Sequence, residues 1–386
     1  MPEGMSSSYQ LARGTAVESK FPSIDLKWLA PLFVAAGCMI AMNVYHLVTR
    51  FGTMTDDFKV KSLVGIFATL SAATVLAFVP LAGQSATAHK LEAQHDEELG
   101  RSDVVRAIQK YAVPASRLSP FICCTILSFF FKELVLEMPE GHYPPLWCRA
   151  LAFIGYGSGG LAYCSIILTC MVRSHTLAKL MVQSLINTLE TGHFTQASDW
   201  DLLAAKVHQA EKDINSLFSL SECGVVWCSA SALAALFSAL GMVMVVISDN
   251  DIHKYVFRIG CAWFFCGMVG ALQMLLPLAM LTSMCKDPGV SSNSIVSAAR
   301  RFPFRQVGGC QDVPLVECAD LEVTRMTDSQ KAAHHRFTSN IETNDMGVKL
   351  GGMRLTTSLL YSKMLQIGIL LPSAYAFLTH HLHEAV

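Results

Sequence analysis

The chain has few charged residues. Only 15% of its 386 residues are Asp, Glu, Lys or Arg, and 52% are hydrophobic, whereas soluble domains carry roughly 25% charged residues. The deficit is concentrated in several uncharged runs, which exceed the roughly 18 residues that mark a membrane-crossing helix. The composition therefore predicts an all-α, polytopic membrane protein and excludes an ordinary soluble domain.

An excess of basic charge and the common catalytic motifs are also missing. The net charge is −1, so there is no basic surface to neutralise nucleic-acid phosphates. The chain has no phosphate-binding Gly-Lys-Ser/Thr loop, no His-Glu-x-x-His motif and no zinc-ligand spacing. We therefore predict a protein that is not an enzyme, holds no metal or cofactor and has no nucleic-acid partner.

Cysteine and histidine are not arranged as a disulfide or metal framework. Most of the 13 cysteines lie in or beside apolar runs, where cysteine packs as a small hydrophobic residue. Cys148 is the one expected near the outer surface, and its pairing is left open. The adjacent His334 and His335 lie in a polar segment and are expected to be solvated.

Seven runs are long enough to cross an apolar layer of about 30 Å at 1.5 Å per helical residue. The third carries Lys132 and Glu133 near one end, and the seventh carries Lys363, whose amine is expected to reach the cytoplasmic surface. The runs are 28–48, 62–83, 118–136, 150–172, 223–248, 259–285 and 355–379. Residues 28–285 are thus expected to form a six-helix scaffold that binds ligand.

Lys and Arg are distributed unequally between the two sides of the membrane. The side that holds the amino terminus has 21 of these 29 residues and the other side has 7, with Lys363 inside the last run. Basic loops resist translocation, so we predict that residues 1–27 and the loop 286–354 are cytoplasmic. Residues 380–386 are then extracellular, and the protein is expected in the plasma membrane, in contact with lipid.

The long cytoplasmic segments carry their own pattern. The second, fourth and sixth spans are expected to continue into helices below the membrane, and Asp199 and Asp201 suit the start of one such helix. Polar composition over 291–352, with Gly308, Gly309 and Pro314, indicates a flexible link. Apolar residues at alternating steps of four and three predict one buried helix face: Leu203, Val207, Ala210, Ile214 and Leu217.

The segment from Val348 to Tyr361, which reads VKLGGMRLTTSLLY and leads into the last span, resembles the closing region of insect gustatory receptors. Length, seven spans, a cytoplasmic amino terminus and long cytoplasmic loops are similar to that family as well. Of the family's closing Thr-Tyr and Gln-Phe pairs, only the Phe has a counterpart, at Phe377. The chain is therefore identified as a divergent gustatory-receptor-like chemoreceptor.

The resemblance implies a ligand-gated cation channel that serves taste perception, built as a homotetramer or as a hetero-oligomer with related subunits. In that arrangement the last span, residues 355–379, lines the pore. Gln366, Ser373 and Ala376 follow one helix face at steps of seven and three, and together with Phe377 they are the expected pore-lining residues. Pro372 is expected to kink this helix.

The resemblance also implies a small organic ligand held in the outer halves of the first six spans. Pockets for such ligands are mostly apolar and aromatic with few polar anchors, although aromatic residues collect at membrane interfaces without binding anything. The residues expected to bind ligand are Tyr45, His46, Phe130, Tyr156, Trp263 and Phe264.

Two other classes stay open. Leu371-Pro-Ser-Ala-Tyr375 resembles the Asn-Pro-x-x-Tyr of G-protein-coupled receptors, but those receptors begin outside the cell. A transporter is expected to show broken helices or buried charges in two related halves, and neither is evident. The location of the amino terminus separates the first class from a channel.

Overall fold

The computed structural model describes parts of 33–52, and residues 56–99, 170–192, 194, 196–247, 255–286, 294–305, 327–344 and 346–363. These residues are mostly helical. The elements are α1 (Asp56–Gly83), α2 (Ala86–Leu99), α3 (170–191), α4 (Ala197–Leu217), α5 (Gly224–Ile247), α6 (Tyr255–Lys286), α7 (Ile295–Arg305), α8 (Asp328–Thr343), β1 (Lys349–Leu350), β2 (Met353–Arg354) and α9 (357–363).

Three helices, α1, α5 and α6, follow the apolar runs that were predicted at 62–83, 223–248 and 259–285. Those three predictions of helix position are confirmed. Among the described residues, two helical stretches are long and apolar enough to cross a membrane, Gly224–Val246 and Trp263–Lys286. The third span lies outside the described residues, and the first, fourth and seventh are described only in part.

The outward faces of the apolar helices are themselves apolar. Leu63, Phe67 and Leu70 on α1 follow steps of four and three and are 46–61% exposed, and Phe265 and Val269 on α6 are also exposed. A helix that is apolar on both its buried and its exposed faces is typical of a membrane span. When these exposed apolar side chains face lipid, they avoid unfavourable contact with water.

Among the described helices, α5 and α6 form the most extensive pair, and they run antiparallel. A Cβ added at Gly241 would lie 2.4 Å from the backbone nitrogen of Phe264, and one at Gly267 would lie 2.5 Å from the carbonyl oxygen of Ala234. Ser238 Oγ donates to the Phe264 carbonyl at 3.1 Å. Small residues at these crossings let the backbones approach closely, as in other membrane helix pairs.

The polar segments build a second layer, which we call the helical module: α2, α3, α4, α7 and α8. α4 packs against α8 and α2, and α7 packs against α8 and α6. The five α4 residues predicted to share a buried face are all buried, so that prediction is confirmed. Asp199 closes a capping box with Gln196 at the start of α4, which satisfies backbone N–H groups there.

The module has an aromatic core around Trp200, which is fully buried. Its ring stacks on Phe194 at 4.6 Å, meets the edge of Phe302 at 4.8 Å and lies 5.3 Å from Phe337. His334 completes the cluster at 4.8 Å from Trp200. This cluster joins α4, α7 and α8 into one core.

The prediction that His334 is solvated is therefore wrong, whereas His335 is exposed. His334 Nε2 donates to the Ala299 carbonyl at 3.0 Å, and burial lowers the pKa of this imidazole. Segment 291–352 was expected to be a flexible link, but it contains α7 and α8. The polar average composition of the segment hid the buried face of α8, which consists of Ala333, Phe337 and Ile341. Gly308, Gly309 and Pro314 lie outside the described residues.

Candidate functional site at the start of the last helix

Two of the residues expected to bind ligand lie at the contact of α5 and α6. Trp263 packs its ring 4.9 Å from that of Phe237, and the Phe264 carbonyl accepts the hydroxyl of Ser238. Tyr45 is 64% exposed. His46, Phe130 and Tyr156 lie outside the described residues, so the ligand set stays a prediction.

The four residues expected to line a pore, Gln366, Ser373, Ala376 and Phe377, also lie outside the described residues. What the structure describes is how the last helix starts. α9 is described over 357–363, and Lys363 is exposed. The candidate site is therefore the junction that precedes the predicted pore-lining positions.

A tight hairpin leads into α9. β1 and β2 pair antiparallel, with Lys349 opposite Arg354 and Leu350 opposite Met353. The turn residues Gly351 and Gly352 have φ of 55° and 83°, the left-handed conformations that a two-residue type I′ turn requires and that glycine adopts without strain. The hairpin thus occupies the segment VKLGGMRL that carried the family resemblance.

Thr356 sets the first residue of α9. Its Oγ1 accepts the backbone N–H of Leu359 at 3.1 Å, which is the geometry of a helix N-cap and satisfies one free donor of the first turn. Thr357 and Leu360 are buried, whereas Ser358, Leu359 and Tyr361 are exposed. The start of the last helix is therefore fixed both along the chain and in rotation.

The end of α6 binds this junction through one helix face. Thr282 Oγ1 accepts the backbone N–H of Val348 at 3.0 Å, Ser283 Oγ lies 3.4 Å from Thr357 Oγ1, and Lys286 Nζ donates to the Asn344 carbonyl at 3.0 Å. Positions i, i+1 and i+4 lie on one side of a helix. All three contacts come from the last turn of α6.

The direction of the hydroxyl contact follows from the other bonds. Ser283 Oγ donates its single proton to the Ala279 carbonyl at 3.1 Å, so Thr357 donates and Ser283 accepts. Thr282 likewise donates to the Leu278 carbonyl and uses a lone pair for Val348. Ser283 and Thr357 are 2% and 6% exposed, so water does not readily replace either partner.

Asn344 connects the junction to the helical module. It ends α8, and its amide Nδ2 donates to Glu211 Oε2 of α4 at 2.7 Å. Because Lys286 binds the carbonyl of the same residue, α4, α6 and α8 meet at one asparagine. The chain then passes into the hairpin at Val348, which is fully buried.

A second polar contact set joins α2 to α3 and to the α4–α5 connection. Ser85 and Thr87 donate to the two oxygens of Glu222 at 2.8 and 2.7 Å. Arg173 of α3, which is 8% exposed, binds Glu92 through two parallel N–H donors. Bidentate pairs of this kind fix orientation as well as distance, so this pair sets how α2 and α3 are oriented to each other.

His175 links α3 to α6. Burial lowers its pKa from 6.5 to about 4, with a further lowering by Lys179, while a hydrogen bond with the Pro277 backbone acts in the opposite direction. The imidazole is therefore neutral at physiological pH. It contributes a neutral polar contact rather than a charge.

A groove of about 360 Å³ lies in the helical module between α4 and α8. It contains none of the residues that were expected to bind ligand. Its lining is Ala204, Val207, His208, Phe337, Asn340, Ile341, Thr343 and Asn344. Within the part of the chain that the structure describes, no group of three or more His, Cys, Asp or Glu side chains is placed to hold a metal ion.

Sequence reasoning missed Thr282, Ser283, Asn344 and Thr357. Two adjacent hydroxyl residues at the end of an apolar run and a Thr-Thr-Ser at the start of the next were visible signals. Hydroxyls in spans ordinarily bond to the preceding turn, so the sequence by itself did not pair them.

No protein-family model matches the chain, and no curated protein sequence matches it. Seven chains of solved structures match its backbone. One is the insect olfactory receptor OR5 from Machilis hrabei, with a TM-score of 0.48 and 10% identity, covering 94% of this chain and 90% of that one. At that TM-score and identity, neither the activity nor the residues of that receptor carry over to this chain.

Proposed function

We propose that this chain is a chemoreceptor subunit, similar to the gustatory receptors, that forms a ligand-gated cation channel for small organic ligands in the plasma membrane. The observation that carries the proposal is the junction before the last helix. α9 starts as an N-capped helix that is bonded to the end of an apolar helix and, through Asn344, to a folded module. In this proposal the attachment is the fixed end of the pore-lining helix.

In this proposal the last helix continues through residues 355–379 and presents Gln366, Ser373, Ala376 and Phe377 to the pore. Tyr45, His46, Phe130, Tyr156, Trp263 and Phe264 contact the ligand. The outward apolar stripes of α1 and α6 support contact with lipid. A single subunit with seven spans cannot enclose a central pore symmetrically, so a closed ring of subunits is required.

The orientation is tested with epitopes in intact cells. A tag before Met1 should stain only after permeabilisation, because 21 basic residues lie on the amino-terminal side against 7 on the other. A tag after Val386 should stain without permeabilisation. Surface staining of the amino-terminal tag would favour the G-protein-coupled receptor instead.

The assembly is tested by chemical cross-linking of the full-length protein in mild detergent. A ladder of bands ending at four subunits is expected for a homotetramer. A strictly monomeric protein that still conducts would rule out this architecture, and a transporter would then be the better reading.

The pore face is tested at Ser373. Currents from cells that express Ser373→Cys should change when a water-soluble thiol reagent is applied, while the unsubstituted chain, with its 13 native cysteines, is the control. Enlarging Ala376 to Leu should reduce current without reducing surface abundance if it lines the passage. If Ala376 only packs against a helix, abundance and current should fall together.

A further inference from the structure

We infer that the end of α6 and the start of the last helix form a latch that sets the position of the last helix and thereby the closed state of the channel. The latch consists of Ser283 with Thr357 and of Thr282 with the Val348 backbone. The inference deepens the proposed function and rests on it, since it assigns regulation to the same last helix.

The latch contact is shielded from water, because Ser283 and Thr357 are 2% and 6% exposed. Thr357 is buried in the first turn of α9, and its hydroxyl lies 3.4 Å from that of Ser283. Loss of either hydroxyl leaves the other buried without that bond. A lost hydrogen bond of this kind changes an equilibrium by about fivefold.

The hairpin makes the attachment short. Leu355 N–H donates to the Val348 carbonyl at 3.0 Å. Val348, which is bound by Thr282, is therefore bonded directly to the residue that precedes the N-cap of α9. A displacement of the end of α6 is therefore transmitted to α9 through two contacts. One is with the backbone at Val348, in the hairpin before α9, and the other is with the side chain of Thr357 in α9 itself. The same helix α6 carries Trp263 and Phe264, which are the predicted ligand contacts.

Close packing at Gly347 provides an independent way to open the latch. A Cβ at this position would lie 2.6 Å from Thr282 Cγ2 and 3.1 Å from Arg354 Nε. Gly347→Ala would therefore displace the hairpin from α6 without removing a hydroxyl, through this contact and through the strain of a side chain at φ 156°. Gly351→Asn is the matched control, since the space there is open and Asn tolerates the left-handed conformation.

The positioning role is tested first by distance measurements on the purified full-length protein. Spin labels at Met280 and Tyr361, which are 58% and 65% exposed, report the separation of α6 and α9. They are introduced as non-canonical amino acids because the chain has 13 cysteines. In Thr357→Val the ratio of docked to displaced populations should fall about fivefold, while Thr357→Ser should retain it.

The same measurement includes two further variants. Ser358→Ala, at an exposed position in the same turn, should leave the distribution unchanged, and Gly347→Ala should displace it. An unchanged distribution in both Thr357→Val and Gly347→Ala would overturn the latch.

Gating is tested by whole-cell cation current without added ligand, normalised to surface abundance. Thr357→Val should raise this current about fivefold, and Thr357→Ser should restore it. Adding Ser283→Ala to Thr357→Val should give less than the sum of the two single effects, because the two substitutions remove the same bond between the helices. A conducting chain whose current ignores Thr357→Val would overturn the latch. If the chain carries no current while the labels still shift, the positioning role stands and the proposed channel function fails.

Discussion

Trp200 offers the sharpest test of the helical module. Its indole is fully buried and contacts rings from three other segments, at Phe194, Phe302 and His334. Replacement of Trp200 by Ala removes the centre of this cluster. The rings around it, which also include Phe337, cannot fill the cavity that is left. Trp→Ala changes in cores cost about 3–5 kcal/mol, so Trp200→Ala should destabilise the module by that amount.

Trp200→Phe separates packing from hydrogen bonding. Among the described residues the indole N–H of Trp200 has no hydrogen-bond partner, and an unsatisfied buried donor itself costs about 1–3 kcal/mol. Phe keeps most of the aromatic contact and removes that donor. We therefore expect Trp200→Phe to cost about 1 kcal/mol, much less than Trp200→Ala.

The measurement is thermal unfolding of the detergent-purified protein, read as loss of the monodisperse peak in size-exclusion chromatography. A cost of about 3 kcal/mol corresponds to a melting temperature lower by about 6 °C or more for a unit of 150–250 residues. Leu202→Ala is the matched control, since Leu202 lies on the same helix and is 62% exposed; it should change little. Equal melting of Trp200→Ala and Leu202→Ala would refute the aromatic core.

Two further predictions concern charge. Arg173→Met should cost about 3 kcal/mol, because it leaves the Glu92 carboxylate, which is only 12% exposed, with His89 alone beside it. Arg300→Met, in a surface pair, should cost at most about 1 kcal/mol, and equal melting temperatures for the two variants would contradict this. The lowered pKa of His175 means that stability is complete above pH 6.5 and is lost as the pH falls from 6.5 to about 4, by up to about 3 kcal/mol. In a melting series over that pH range His175→Gln should lose the His175 part of the slope, while the part due to His334, whose pKa burial also lowers, remains. His335→Gln should keep the full slope, and a slope unchanged in His175→Gln would disprove the assignment.

The positions of helices could be predicted from the sequence wherever a pattern within one segment decided the structure. The apolar lengths of α1, α5 and α6 predicted helices, because a run without charges that long is stable only in lipid or in a core. The face of α4 was equally predictable, since steps of three and four from Leu203 to Leu217 bring apolar side chains to one side. In these cases the information is contained in one segment.

The tertiary structure decided what depends on two segments at once. His334 was expected in water because its neighbours along the chain are polar, but the ring of Trp200, 134 positions away, covers part of it. Likewise, the polar average composition of 291–352 concealed α7 and α8. The few apolar residues of these helices form a core only when α4 packs against them.

Ser283 and Thr357 show the same limit at the candidate site. Within its own segment, each hydroxyl can bond to a nearby carbonyl or to water. Only the antiparallel return of the chain through the Gly351–Gly352 turn brings the two hydroxyls to 3.4 Å from each other. Sequence by itself determined which segments are apolar and that residues 203–217 share one buried helix face. Pairing between distant polar groups was decided by packing, because a hydrogen bond gains its specificity only after both partners have been removed from water.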